Sequence, residues 1–126
     1  MGQIVVIDDD DDIRFLVRRR LEKQGHTVTE APDGARGLAL VESDEPDLVV
    51  LDWMMPGLTG IDVLEQLRTA GRTRPRVLML TARTQESDVA RAREAGADGF
   101  LTKPFTASEL LAAVTALIDS PDPAAL

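Results

Sequence analysis

Four short strand-like segments in this chain each lead into a residue that can do chemistry. Residues 3–7 run into Asp8 and Asp9, residues 48–51 into Asp52, residues 76–80 into Thr81, and residues 99–102 into Lys103. If these ends meet, three carboxylates share one place with an ammonium and a hydroxyl. Crowded carboxylates repel one another and hold protons more tightly unless a cation intervenes. Hard oxygen ligands in a small site suit Mg2+ or Mn2+, which keep several waters and leave room for a phosphate. A carboxylate is also a nucleophile, and aspartyl phosphate is one of its products. Phosphoryl transfer needs positioning and positive charge on the equatorial oxygens, which the metal, Lys103 and a Thr81 hydroxyl would supply. Taken singly the same residues have plain readings. Asp52 could cap the next loop, Asp9 a helix, Thr81 could be a strand-end hydroxyl, and Lys103 an exposed charge.

The elements decide between these readings. The run 48–51 is apolar at consecutive positions, as in a parallel strand buried on both faces, and Pro56–Gly57 turns the chain after it. Residues 3–7 form a similar strand, and 27–31 a weaker one. Arg76 to Leu80 and Gly99 to Thr102 complete five. Between them lie helical patterns. In the first, Ile13, Leu16, Val17 and Leu21 share a face, with Gly25 placed to close the helix. In the second, residues 34–43, Asp33 caps and Ala35, Leu38, Ala39 and Val41 point inward. In the third, Thr59 with Asp62 makes a capping box and Ile61, Leu64 and Leu67 are buried, ending near Gly71. The fourth, 86–95, has a thin stripe of Val89 and Ala92, closed by Gly96. The last is capped by Thr106 and Glu109, with Leu110, Leu111, Val114, Leu117 and Ile118 facing inward. Alternating strands and helices predict an α/β, doubly wound, five-stranded parallel sheet with helices on both faces. The flavodoxin-like order 2-1-3-4-5 puts the ligand crevice between the ends of the first and third strands. That makes Asp8, Asp9 and Asp52 neighbours.

At 126 residues the chain is one expected domain over 1–119, with 120–126 a frayed tail or the start of a linker. It has no cysteine, hence no disulfide framework, which fits a reducing compartment. No apolar run approaches the ~20 residues of a membrane span, and Met1 to Val6 lacks the pattern of a secretory leader. A cytoplasmic location is the expectation. A net charge of −8 argues against direct binding to nucleic acid by this domain. With 3% aromatic residues and no tyrosine, a stacking platform for bases or flavin is also unexpected. Asp10, Asp11 and Asp12 read as a solvated helix start favoured by the dipole. His26 lies in a turn, not on an exposed helix face that could carry phosphate. Arg72, Arg74 and Arg76 read as a solvated loop, and Trp53 as a half-exposed loop residue.

The segments IVVIDDDDDIR, LVVLDWMMPG, VLMLTAR and FLTKPF, in this order and spacing, resemble the receiver domain of two-component response regulators from Gln3 to about Ile118. The resemblance implies that Asp52 is the phosphoacceptor, charged by a histidine kinase or phosphotransfer protein. It implies Asp9 as a direct Mg2+ ligand, Asp8 mostly holding a metal-bound water, and the Met54 carbonyl as a further ligand. Thr81 and Lys103 would contact the phosphoryl group, Lys103–Pro104 would be cis, and Phe100 would be the aromatic switch residue. The domain would then be a switch that assists its own phosphorylation and dephosphorylation. Its altered face, made by the fourth helix, fifth strand and fifth helix, would be read by an output domain or protein. Met54 and Arg83, two residues beyond Asp52 and Thr81, are poorly suited to orient a hydrolytic water, so the phosphorylated state is expected to last. Gly99 and Ala113 replace charges usual on the dimer face of the winged-helix class, while Arg91, Asp98 and Glu109 remain. A monomer or weak dimer after phosphorylation is therefore expected.

Two other classes compete. A haloacid-dehalogenase-like phosphatase would use Asp8 as nucleophile with Asp10 as acid. It lacks room for a cap domain, carries Asp12 where threonine or valine is usual, and leaves Asp52 unexplained. A degenerate receiver would serve only for docking, but all five key positions are intact. The tail SPDPAAL suits both a single-domain regulator and the input domain of a longer one.

Overall fold

The computed structural model describes residues 2–82 and 85–119. Arg83 and the 120–126 tail, both assigned roles above, lie outside the described residues. The elements are β1 (Gln3–Ile7), α1 (Asp11–Lys23), β2 (Thr27–Ala31), α2 (Gly34–Asp44), β3 (Leu48–Asp52) and α3 (Gly60–Leu67). They continue with a 3-10 turn (Thr69–Gly71), β4 (Arg76–Thr81), α4 (Glu86–Ala95), β5 (Gly99–Thr102) and α5 (Ala107–Ile118). The five strands pair in parallel in the order β2-β1-β3-β4-β5.

Burial on both faces explains the unbroken apolar runs. Successive strand side chains point to opposite sides. Val5, Ile7, Val49, Leu51, Val77 and Met79 therefore form one core with Val41, Ile61, Leu64 and Ala92 of α2, α3 and α4. Ile4, Val6, Leu48, Val50, Leu78 and Leu80 form the other with Val17, Leu21, Leu110 and Val114 of α1 and α5. β3 sits at the centre and every one of its residues is buried. Its last residue, Asp52, is thereby carried to the carboxyl edge of the sheet.

Local signals hold the helix ends. Asp10 caps α1 by accepting from the amides of Asp12 and Ile13, and Asp33 caps α2 through the Arg36 amide. Both expected capping boxes form, Thr59 with Asp62 and Thr106 with Glu109. Gly96 closes α4 in the left-handed region, at φ 109°, where a side chain would be strained.

Several side chains depart from the periodic reading. Leu16, beside the exposed Phe15, faces solvent; the buried positions of α1 are Val17 and Leu21, with Ile13 partly covered. On α2, Ala35 and Ala39 are exposed, and Gly34, Gly37 and Val41 are buried instead. The helix lies so close to β1 that a Cβ on Gly37 would stand 2.3 Å from Ile7 Cδ1. A face defined by missing side chains leaves no apolar signal in a sequence. α3 stops at Leu67, capped by Arg68, four residues before Gly71. Arg76 is not in a solvated loop: it opens β4 opposite Leu48 and is buried.

Its charge is met by Asp98, whose carboxylate accepts from Arg76 Nη1 at 3.3 Å, Arg68 Nη2 at 2.9 Å and the Val77 amide at 2.8 Å. Burying a guanidinium this way is tolerable only with such a partner. Among the described residues no helix is long and apolar enough to cross a membrane.

Candidate functional site

The crevice forms where the chain leaves β1 to one side for β2 and later returns on the other as β3. Asp8 and Asp52, at the ends of these neighbouring strands, are both buried, while Asp9 faces solvent. One carboxylate oxygen from each of the three lies within 4.8 Å of the others. Into this cluster reaches Lys103, whose Nζ donates to Asp8 Oδ2 at 3.1 Å and to Asp52 Oδ1 at 3.2 Å.

Each group is placed by main chain. β4 ends on Thr81, which is buried. The Thr81 carbonyl accepts from the Lys103 amide at 2.8 Å, which fixes the root of the lysine side chain. The Lys103–Pro104 peptide is cis, as the resemblance implied, and so is Arg74–Pro75. Trp53 donates its amide to the Leu80 carbonyl, and its own carbonyl accepts from Gly60. Gly60 passes so near that a Cβ there would stand 2.4 Å from the Asp52 carbonyl oxygen. Only glycine allows the start of α3 to brace Asp52 from behind. Sequence reasoning missed this residue, although its place directly after the Thr59 cap was a usable signal.

Burial, then the charge of Asp8, pushes the Asp52 carboxyl up to about 6, with Lys103 pulling the other way. Burial works against the Lys103 ammonium, but its bonds to Asp8 and the charges of Asp8 and Asp52 outweigh that and raise its pKa. The site thus balances a reluctant carboxylate against a firmly charged amine.

The donor set passes a chemical test for a small, hard divalent cation. All three side-chain donors are carboxylate oxygens, and the exposure of Asp9 leaves one side open to water and a phosphate. Met54 stands at the rim, 58% exposed. Asp10 has no part in the cluster, because its carboxylate is spent capping α1. That removes the general acid of the dehalogenase-like reading. His26 lies at the opposite end of β1, accepting from the Gly2 amide on Nδ1. Trp53 is a correction: it is buried at 5% exposure, its ring packed in the α2–α3–α4 core against Phe100. The residue after a buried strand end has continued inward.

The family model described as the response regulator receiver domain matches residues 4–115. The chain belongs to this family. Receiver domains are signalling modules of two-component systems. Among curated relatives, this receiver domain is 47% identical to the response regulator MprA of Mycolicibacterium vanbaalenii, over 92% of this chain and 50% of that protein. It is 46% identical to the MprA of Mycobacterium sp. (strain KMS), over 95% of this chain and 53% of that protein. The chain spans about half the length of these relatives. Among solved structures, the Francisella response regulator 1452 receiver domain superposes with a TM-score of 0.88 at 34% identity, covering 94% of this chain and 97% of that one. The chemotaxis response regulator CheY4 of Vibrio cholerae gives 0.87 at 30% identity, covering 93% and 98%. The receiver-domain fold and the order of its sheet thus agree with the topology expected from the alternation of elements.

Proposed function

We propose that this receiver domain is a phosphorylation switch whose phosphoacceptor is Asp52. The observation that carries the reading is the Lys103 ammonium held between Asp8 and Asp52, with Asp9 alongside, in the crevice of a doubly wound sheet. Asp8, Asp9, Asp52 and the Met54 carbonyl would hold Mg2+, or Mn2+ in its place. When bound, the ion offsets negative charge on the phosphoryl oxygens and on the three carboxylates.

The donor is a phosphohistidine of a kinase or phosphotransfer protein. An Asp52 oxygen forms a bond to phosphorus, and the P–N bond breaks with its electron pair passing to the imidazole nitrogen. Only ionised Asp52 attacks, and with a pKa of about 6 it is ionised at neutral pH. Lys103 then turns from the carboxylates to the new phosphoryl oxygens, and the Thr81 hydroxyl donates to another. Phe100, half-buried on β5 beside Met79, follows the space that Thr81 vacates. α4 is the easiest element to shift, because among its described residues only Ala92 is buried. The face of α4, β5 and α5 is therefore what an output domain or protein reads. The domain works in the cytoplasm, binds no nucleic acid itself and stays a monomer or weak dimer.

Incubation with a small-molecule phosphodonor tests the reading. Mass spectrometry should show one phosphoryl group gained with Mg2+, none with chelator, and none in Asp52→Asn. Equal labelling of Asp52→Asn overturns the assignment.

A further inference from the structure

We infer that Arg14 is a positioning residue for the acidic cluster, acting through the main-chain carbonyl of Asp8. The inference rests on the proposed Mg2+ site and adds a residue outside its ligands. Arg14 lies in the first turns of α1, and its side chain turns back toward the helix start, as helical side chains do. Nη1 donates to the Asp8 carbonyl at 2.6 Å, Nε to Glu30 Oε1 at 3.3 Å, and Nη2 to the Asp11 carboxylate. The guanidinium is thus a three-way brace between the strand end, β2 and the helix start, and its side chain is only 12% exposed. Glu30 is itself steadied from the other side by Arg18 Nη1 at 3.0 Å.

The carbonyl that Arg14 holds belongs to the peptide joining Asp8 to Asp9. Pairing of β1 with β2 and β3 ends at Ile7, and beyond it the Asp8 amide still donates to the Ala31 carbonyl at 3.2 Å. The next peptide plane has left the ladder. A charge-assisted bond from a planar, five-donor fork is a strong way to fix such a plane. Fixing it sets the direction in which the Asp9 carboxylate leaves the chain. Asp9 is exposed, so packing does little to aim it. Asp8 is held separately, by the Asp10 amide on Oδ1 and Lys103 on Oδ2.

Charge alone predicts the opposite consequence, which makes the inference testable by sign. Removing a cation near a metal site strengthens metal binding by Coulomb's law. Removing a positioning residue weakens it, by about 10-fold where outer partners of metal ligands have that effect. Mg2+ affinity is measured by calorimetry on wild type, Arg14→Ala, Arg14→Lys and Arg18→Ala, with circular dichroism to establish folding. Arg14→Ala should bind Mg2+ about 10-fold more weakly, and Arg14→Lys, which keeps the charge but not the fork, should fall between. Arg18→Ala loses its bond to Glu30 but never touches Asp8, and should match wild type. Equal or tighter binding by Arg14→Ala overturns the inference while sparing the proposed function; should that variant not fold, wild-type affinity in Arg14→Lys does the same. A wild-type chain that binds no Mg2+ overturns the proposed function and the inference with it.

Discussion

The indole of Trp53 meets the ring of Phe100 edge-on, with centroids 6.5 Å apart and planes at 85°. Such pairs contribute about 0.5–1.5 kcal/mol beyond the area they bury. The pair spans the distance from the proposed phosphoacceptor to the proposed switch residue, because Trp53 is bonded to Asp52 and Phe100 lies opposite Met79 on β5. As the single tryptophan, Trp53 reports on both ends. Phe100→Leu should shift its emission to the red as water gains access, and Mg2+ should change the wild-type emission. A spectrum unaltered by Phe100→Leu would show that the rings do not sense one another in solution.

Stability should depend on pH through Asp52. Its folded pKa of about 6 exceeds the ordinary 3.8, so the native state holds this proton more tightly than the unfolded chain does. The proton's contribution is complete below pH ~4, falls as the pH rises to about 6, and is absent above, a loss on the order of 2–3 kcal/mol. Asp52→Asn carries no such penalty. In Mg2+-free urea titrations at pH 7.5 the variant should be the more stable, by up to about 2 kcal/mol, and the gap should close near pH 4. A variant less stable than wild type at pH 7.5 would refute the account.

Lys103→Met removes the ammonium that links Asp8 and Asp52. The Asp52 pKa should then climb above its present value of about 6, as read by NMR titration of the carboxyl carbon. Labelling by a phosphodonor should slow by about 10²-fold, the usual loss when one donor to a developing charge is deleted. An unchanged rate would mean that Lys103 serves the fold and not the chemistry.

Asp98 is committed within the chain, to Arg68, Arg76 and the Val77 amide. Asp98→Ala would remove the carboxylate that Arg68 and Arg76 share and should cost about 1.5–3 kcal/mol. Arg91→Ala, on the exposed side of α4, should cost little. An Asp98 engaged by Arg68, Arg76 and the Val77 amide is also one charge fewer for pairing across the α4-β5-α5 face. Sedimentation of the phosphorylated chain should therefore show a monomer or weak dimer. A tight dimer at low micromolar concentration, lost in Arg91→Ala, would contradict this.

The strands and helices were legible in the sequence, because their signals are local, and the alternation of the two pointed to a doubly wound sheet whose commonest order is the one found. Runs such as 48–51 stay apolar at consecutive positions only when both faces are covered, and helix ends are written within four residues, as at Thr59–Asp62 and Thr106–Glu109. Topology then brought Asp8, Asp9, Asp52 and Lys103 to one edge without any knowledge of side-chain packing. Pairings between distant residues, which no period announces, emerged with the folded chain. Lys103 reaches a carboxylate 95 residues away, and Asp98 gathers Arg68 and Arg76 from two other segments. Arg76 and Trp53 are buried for the same reason: a polar or bulky residue at a strand end goes inside only if a remote partner is there to receive it, Asp98 for one and Phe100 for the other. Arg14 joins Asp8 to Glu30 of β2, a contact across sixteen residues, and the buried face of α2 rests on the absence of a side chain at Gly37. Spacing sets which residues can share a face; close packing of that face against a particular neighbour sets which of them do.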